Sequence, residues 1–137
     1  MDADVLFAYL VGDHLSNSAE RLLTRSEEGL VKINVASEIF DDVITGLRSN
    51  NVSLETVVEL VGDLRRIPHV VLPTTVEVVL EAISLYATYG GSRKLHYFDS
   101  FHVATAKTYD LPMVTSDRFV LTHSGKMGIR ALDLRDF

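Results

Sequence analysis

The chain of 137 residues contains no cysteine and no apolar run long enough to span a bilayer. Without cysteine, it can form neither a disulfide framework nor a zinc–thiolate site. Its first residues do not combine a basic segment with an apolar core, so no signal peptide is expected. We therefore expect a cytoplasmic protein with no membrane association, and the length fits one domain over residues 1–137.

Basic residues are also scarce. The chain has 13 lysine and arginine residues against 19 aspartate and glutamate residues, which gives a formal net charge of −6. This balance argues against a general nucleic-acid-binding protein, because such proteins are usually basic. It does not exclude a nuclease, in which carboxylates clustered around a metal account for part of the negative charge.

The pattern of apolar residues predicts alternating helices and strands. An apolar run at 5–10 fits either a strand or a helix. Helices are predicted at 14–28, 37–47, 53–64, 76–89 and from Asp99 to about 110, and a short helix or loop at 118–123 precedes a turn at 124–128. Strands are predicted at 30–35, 69–72, 113–115 and 129–134. This order predicts a three-layer α/β/α domain with a twisted, mainly parallel central sheet of four to five strands.

The segment 97–117 carries the clearest functional signal, because it reads acid, helix, loop, buried strand, acid. Asp117 follows the strand 113–115 directly. Asp99 opens the preceding helix. Ligands of open parallel sheets bind outside the carboxyl ends of the strands, so both carboxylates can meet at one edge. Carboxylates held close together repel each other unless a cation or a shared proton compensates, and a divalent metal is the simplest solution.

Further acids map to the same edge. If 5–10 continues a strand, Asp2 and Asp4 lie on one face of it. That first strand would then be very short, or the sequence lacks a few residues ahead of it. On the helix 37–47, Asp41 and Asp42 flank the apolar stripe equally, so periodicity does not choose between them. Each acid alone has an ordinary structural explanation, but converging carboxylates favour Mg²⁺ or Mn²⁺.

These residues resemble the PIN domain family, in particular the small ribonuclease toxins of prokaryotic VapBC-type toxin–antitoxin pairs. The resemblance covers essentially the whole chain. It is carried by four motifs in order: Asp2-Ala3-Asp4-Val5-Leu6, Asp42-Val43-Ile44-Thr45-Gly46-Leu47, Asp99-Ser100-Phe101-His102-Val103-Ala104-Thr105-Ala106, and Val114-Thr115-Ser116-Asp117-Arg118-Phe119. The second motif usually begins with glutamate, so Asp41 or Glu38 could serve in place of Asp42.

The resemblance implies a Mg²⁺- or Mn²⁺-dependent ribonuclease. Its implied metal ligands are Asp2, Asp99 and Asp117, and Asp42 would complete the catalytic set. Other implied contacts to ligands or to RNA involve Asp4, Thr115, Ser116, Arg93, Lys94 and Arg118. The implied partners are a single-stranded or structured RNA, an antitoxin protein and a second copy of the chain. The apolar residues of the helices in 37–64 fit either a dimer face or core packing, and core packing explains most of them.

Two other functions fit parts of the pattern. One is a catalytically inactive PIN-like scaffold that binds RNA or protein, against which stands the presence of an acid at all four positions. The other is a receiver-type signalling domain, which needs a lysine at the end of the last strand, and the strand 129–134 ends without one. His102, one helical turn after Asp99, is expected to be either a neighbour of the metal ligands or an ordinary packed or surface histidine.

Overall fold

The structure of the chain is a computed structural model that describes residues 1–92 and 94–137. The α-helices are α1 Ala3–Phe7, α2 Ser16–Glu27, α3 Ile39–Ser49, α4 Leu54–Asp63, α5 Val76–Tyr89, α6 Tyr97–Thr108 and α7 Arg118–Met127. The strands are β1 Ile33–Ala36, β2 His69–Leu72, β3 Met113–Thr115 and β4 Ala131–Asp133. A π-helical turn at Ala8–Gly12 and two 3₁₀ turns at Leu64–Arg66 and Leu134–Asp136 complete the described elements.

The strands form two parallel pairs. β1 pairs with β2, from Ile33 opposite His69 to Ala36 opposite Leu72. β3 pairs with β4, from Met113 opposite Ala131 to Thr115 opposite Asp133. Parallel neighbours need a crossover connection, and helices provide it here. The predicted α/β class with mainly parallel strands is therefore confirmed, and β2 and β3 have the predicted bounds.

The amino-terminal residues lie between the two strand pairs. The Met1 ammonium donates to the carbonyl oxygen of Asn34 in β1 at 3.0 Å. The Asp2 backbone N–H donates to the carbonyl oxygen of Val114 in β3, also at 3.0 Å. Two residues thus hydrogen-bond to both strand edges, as a central strand would. Beside them lies a cavity of about 190 Å³, whose lining includes β1, Val114, Leu132, His102, Thr105 and Phe137.

The apolar run at 5–10 is helical, so the strand alternative for it is wrong. Asp2 is the N-cap of α1 and its side chain accepts a hydrogen bond from the Ala3 N–H. Val5 and Leu6 are buried on different sides, one in a cluster with α2 and the other in a cluster with α3. A helix gives such a run two packing faces within two turns, which explains why its apolar pattern is continuous rather than alternating.

Helices α2, α3 and α4 lie within two residues of their predicted bounds, and α6 and α7 differ in ways that matter for the site and for the packing. α6 begins at Tyr97, so Asp99 is its third residue rather than its first. α7 continues to Met127, so the predicted turn at 124–128 is wrong for residues 124–127, which are helical, and only Gly128 lies beyond the helix. Val120 and Met127 are both buried on α7, and this packing holds Gly125 in the helix. Gly128, with φ of 78°, then ends it in the left-handed conformation that glycine adopts readily. None of the described helices is both long and apolar enough to cross a membrane.

Candidate active site

Asp2 is the most buried acid of the site, with 2% of its surface exposed. Its Oδ2 accepts a 2.6 Å hydrogen bond from the Thr115 hydroxyl at the end of β3. Its Oδ1 accepts from the Ala3 N–H at 2.8 Å and lies 4.0 Å from His102 Nε2. Burial raises the pKa of Asp2 above its ordinary value, and the positive charge of His102 opposes that rise.

His102 links Asp2 to helix α3, which carries Asp42. Its Nε2 lies 3.0 Å from Asp42 Oδ2, while its side chain is 1% exposed and that of Asp42 is 20% exposed. Burial alone would lower the pKa of His102, but the hydrogen bond to Asp42 and the charges of Asp2, Asp42 and Asp99 together raise it. Asp42 therefore faces the site. Its neighbour Asp41 is exposed, and Ser37 donates to Glu38.

Asp4 is held by the turn after β3. Its Oδ2 accepts hydrogen bonds from both the backbone N–H and the hydroxyl of Ser116. Burial, and the nearby charge of Asp2, raise the pKa of Asp4 to about 7, although the bonds from Ser116 oppose the rise. Its Oδ1 is buried and has no hydrogen-bond partner among residues 1–92 and 94–137. A buried acceptor without a partner is costly, and a bound cation would satisfy it.

Asp99 and Asp117 form the more open side of the site. Asp117 is the N-cap of α7 and accepts from the N–H groups of Phe119 and Val120 at 2.6 and 3.2 Å. Asp99 Oδ2 accepts from the backbone N–H of His96 at 3.2 Å, and the ring Nδ1 of His96 lies 3.1 Å from the same oxygen. Burial raises the pKa of Asp99, and the charge of Asp117 adds to the rise. The charge of Asp99 also contributes to the raised pKa of Asp2, so the buried and the open side of the site form one cluster.

The donor set fits a divalent cation. Carboxylate oxygens are the ligands that Mg²⁺, Mn²⁺ and Ca²⁺ prefer. Three of the acids, Asp2, Asp4 and Asp99, have raised pKa values because burial and mutual repulsion disfavour their charged forms. A bound cation would reverse both effects. His96, Asp99 and Asp117 each contribute one potential ligand atom, and these three atoms lie within 4.8 Å of one another.

The basic residues predicted to touch RNA are less well defined. Lys94 is exposed in the loop before α6, and Arg118 is exposed at the first position of α7, next to Asp117. Arg118 directly follows Asp117 and Lys94 precedes His96 by two positions, so both basic residues are close in sequence to residues of the site. Arg93 lies outside the described residues.

Two histidines of the site are not among the site residues that the sequence predicts. The sequence position of His102 fits two roles, and the structure places it between Asp2 and Asp42. The sequence predicts no role for His96. Its spacing of three residues from Asp99 is that of an N-cap residue and the third helical residue, which contact each other in a capping box. This spacing is the sequence feature that points to His96, because it places the imidazole close to any ion that Asp99 binds.

Comparison with known proteins identifies the family of the chain. A PIN domain family model matches residues 1–120. Among solved structures, the chain is similar to one described as a toxin–antitoxin complex from Klebsiella pneumoniae, with 16% sequence identity and a TM-score of 0.61 over 97% of this chain and 94% of that one. No curated protein sequence is significantly similar to the chain.

The fold and the acid cluster thus define a PIN-like α/β domain. The chain belongs to the PIN domain family, since the family model matches most of its length. PIN domains are generally nucleases, and PIN nucleases generally use divalent metals.

Proposed function

We propose that the chain is a metal-dependent endoribonuclease that acts as the toxin of a toxin–antitoxin pair. One observation carries the proposal: Asp2, Asp42, Asp99 and Asp117, which come from distant parts of the sequence, converge on His102 and His96 in a member of a nuclease family. The raised pKa values of Asp2, Asp4 and Asp99 indicate that this cluster is a site for binding a cation rather than a site for stability.

The proposed metal ligands are Asp2, Asp99 and Asp117, with Mg²⁺ or Mn²⁺ as the ion. Such an ion, when bound, neutralises phosphate charge and lowers the pKa of a water molecule. Asp42, held by His102, is suited to orient that water through a hydrogen bond. Thr115 fixes Asp2 and Ser116 fixes Asp4, so the carboxylates are positioned before any ligand arrives. Lys94 and Arg118 are proposed to contact the RNA backbone.

An antitoxin and a second copy of the chain are the proposed protein partners. Support for the antitoxin comes from the toxin–antitoxin complex to which the fold is similar. Support for protein contacts comes from apolar residues exposed at helical spacing on α5, namely Val76, Leu80 and Ile83, which are 69%, 64% and 55% exposed. Val58 on α4 is 71% exposed. We also propose that the chain acts in the cytoplasm, where RNA and an antitoxin would be accessible to it.

The dimer proposal has a direct test. Light scattering of the wild type should give the mass of two chains, and Leu80→Glu or Val58→Glu should give the mass of one if its helix lies in the interface. A wild-type mass of one chain over the whole accessible concentration range would contradict it.

The activity is tested by cleavage of a labelled single-stranded RNA by the wild type and by Asp99→Asn, with Mn²⁺, with Mg²⁺ and with EDTA. The matched control is Asp110→Asn, because Asp110 is exposed beyond the other end of α6 and asparagine tolerates its φ of 51°. We expect metal-dependent cleavage by the wild type and by Asp110→Asn, and none by Asp99→Asn.

Two results would count against the proposal. Cleavage that survives EDTA and Asp99→Asn would exclude the acid cluster as the active site. The absence of cleavage across several RNAs, together with no Mn²⁺ binding by calorimetry, would favour the inactive scaffold that binds RNA or protein.

A further inference from the structure

His96 is placed at the open side of the acid cluster. It is the N-cap residue of α6, and its side chain is 71% exposed. Its Nδ1 lies 3.1 Å from Asp99 Oδ2. Ligand atoms of His96, Asp99 and Asp117 all lie within 4.8 Å of one another. The ring nitrogen therefore belongs to the same group of potential ligand atoms as the two carboxylates.

The separation between His96 Nδ1 and Asp99 Oδ2 matches that of two atoms that share one ion. In octahedral coordination with bonds of about 2.1 Å, adjacent ligand atoms are about 3 Å apart and opposite ones about 4.2 Å. The His96–Asp99 separation corresponds to an adjacent pair. The backbone N–H of His96 also donates to Asp99, so the two residues are held together by the start of the helix and not only by their side chains.

We propose that His96 is a nitrogen ligand of the metal site and that it makes the site selective for Mn²⁺ over Mg²⁺. The proposal rests on the metal-dependent function proposed above and specifies its ion. Mg²⁺ binds oxygen almost exclusively and requires near-ideal geometry, whereas imidazole is a good ligand for transition-metal ions. A nitrogen beside two carboxylates therefore raises the affinity for Mn²⁺ more than that for Mg²⁺.

The other histidine of the site does not compete for this role. His102 Nε2 is directed at Asp42 and lies near Asp2, and its Nδ1 is buried. It acts as a hydrogen-bonding partner of carboxylates. His96, by contrast, is exposed to solvent, so its ring can give up the contact with Asp99 for a shared ion without leaving a buried group unpaired.

The competing explanation is that His96 only stabilises the start of α6 by its contact with Asp99. Mn²⁺ binding distinguishes the two explanations, since a residue that only caps the helix does not coordinate the metal through its ring nitrogen. Pulsed electron paramagnetic resonance of bound Mn²⁺ detects ¹⁴N that is directly coordinated. We expect a ¹⁴N signal in the wild type and its loss in His96→Gln. The control His14→Gln changes a histidine that is 81% exposed and lies in the segment before α2, and it should keep the signal.

Calorimetry with Mn²⁺ and with Mg²⁺ measures the selectivity of the site. His96→Gln should lower the affinity for Mn²⁺ by about tenfold or more, on the scale of losses seen when metal-site residues are replaced. The affinity for Mg²⁺ should change much less, so the Mn²⁺/Mg²⁺ ratio should fall. Thermal denaturation without metal checks that the variant is folded.

The outcomes separate this inference from the proposed function. A Mn²⁺ site without a ¹⁴N signal in the wild type, or with a signal that persists in His96→Gln, would overturn the role of His96 and leave a metal-dependent nuclease intact. No Mn²⁺ binding at all would overturn both. Equal losses of Mn²⁺ and Mg²⁺ affinity would overturn the selectivity.

Discussion

His102 Nε2 lies 3.0 Å from Asp42 Oδ2, and this contact joins α6 to α3 across 60 positions of the chain. Hydrogen bonds to charged groups contribute roughly 1.5–3 kcal/mol. We predict a coupling free energy of this order between the two residues in a double-mutant cycle of His102→Gln and Asp42→Asn, measured by urea denaturation. The coupling should be favourable, because the raised pKa of His102 means that its charged form is stabilised by Asp42 and by the other acids around it.

Asp41→Asn is the matched control for that cycle, because Asp41 is the exposed neighbour of Asp42 on the same helix. Its coupling to His102→Gln should be near zero. If the two cycles gave the same value, the His102–Asp42 contact would not be a specific interaction in solution.

Stability should depend on pH through Asp4. Its pKa rises from 3.8 in the unfolded chain to about 7 in the folded protein, so between these values the folded state holds more protons. The free energy of unfolding of the metal-free protein should therefore fall as pH rises from about 4 to about 7. The raised pKa of His102 acts in the same direction, because its stabilisation is lost as pH rises through the folded-state pKa. Denaturation in EDTA across this range measures the slope.

Asp4→Asn should make that slope smaller, because the variant cannot titrate and asparagine still accepts from Ser116. Asp41→Asn should keep the wild-type slope. A saturating divalent ion should reduce the pH dependence as well, since it favours the charged carboxylates. An unchanged slope in Asp4→Asn would show that Asp4 titrates near its ordinary value.

Gly46 is predicted to be essential for the packing of α3 against α1. A Cβ at this position would overlap the ring of Phe7. Gly46→Ala should therefore destabilise the protein by about 1–3 kcal/mol, as overpacking does, despite the better helix propensity of alanine. Gly62→Ala is the control, since no atom lies within 4 Å of a Cβ there. It should stabilise the protein by roughly 0.5–1 kcal/mol. Denaturation midpoints of the two variants should move in opposite directions.

The sequence predicted the parts of the fold that local patterns determine. β2 is bounded by Pro68 and Pro73, and β3 follows Pro112, so short apolar runs between helix breakers gave their correct limits. The sequence does not predict the end of α7, because Gly125 is typical of a turn, whereas tertiary packing buries Met127 beyond it.

The candidate site was predictable in composition but not in contacts. Strand ends and helix starts placed Asp99 and Asp117 at one edge. The choice between Asp42 and Asp41 depends on which side of α3 faces α6, and the residue of α6 that contacts Asp42, His102, is 60 positions away in sequence. The approach of His96 to Asp99 was encoded locally, but its relation to Asp117 was not.

The gap between β1 and β3 leads to a last prediction. Met1 and Asp2 hydrogen-bond to both strands, and the cavity of about 190 Å³ beside them is lined by His102 and Thr105. Both of these carry a buried polar atom with no partner in the described part of the chain. Burial also lowers the pKa of the Met1 ammonium, so its charge is unfavourable in this position.

We predict that four β-branched residues added ahead of Met1 will raise the melting temperature. They can extend as a strand between β1 and β3, cover apolar surface and replace the buried ammonium by a neutral amide. Each net hydrogen bond contributes about 0.5–1.5 kcal/mol, and 1 kcal/mol corresponds to roughly 4 °C in a domain of this size. A Gly-Ser extension of equal length is the control, because it also removes the ammonium but has low strand propensity. Equal melting temperatures for the two extensions would show that the gap does not accept a strand.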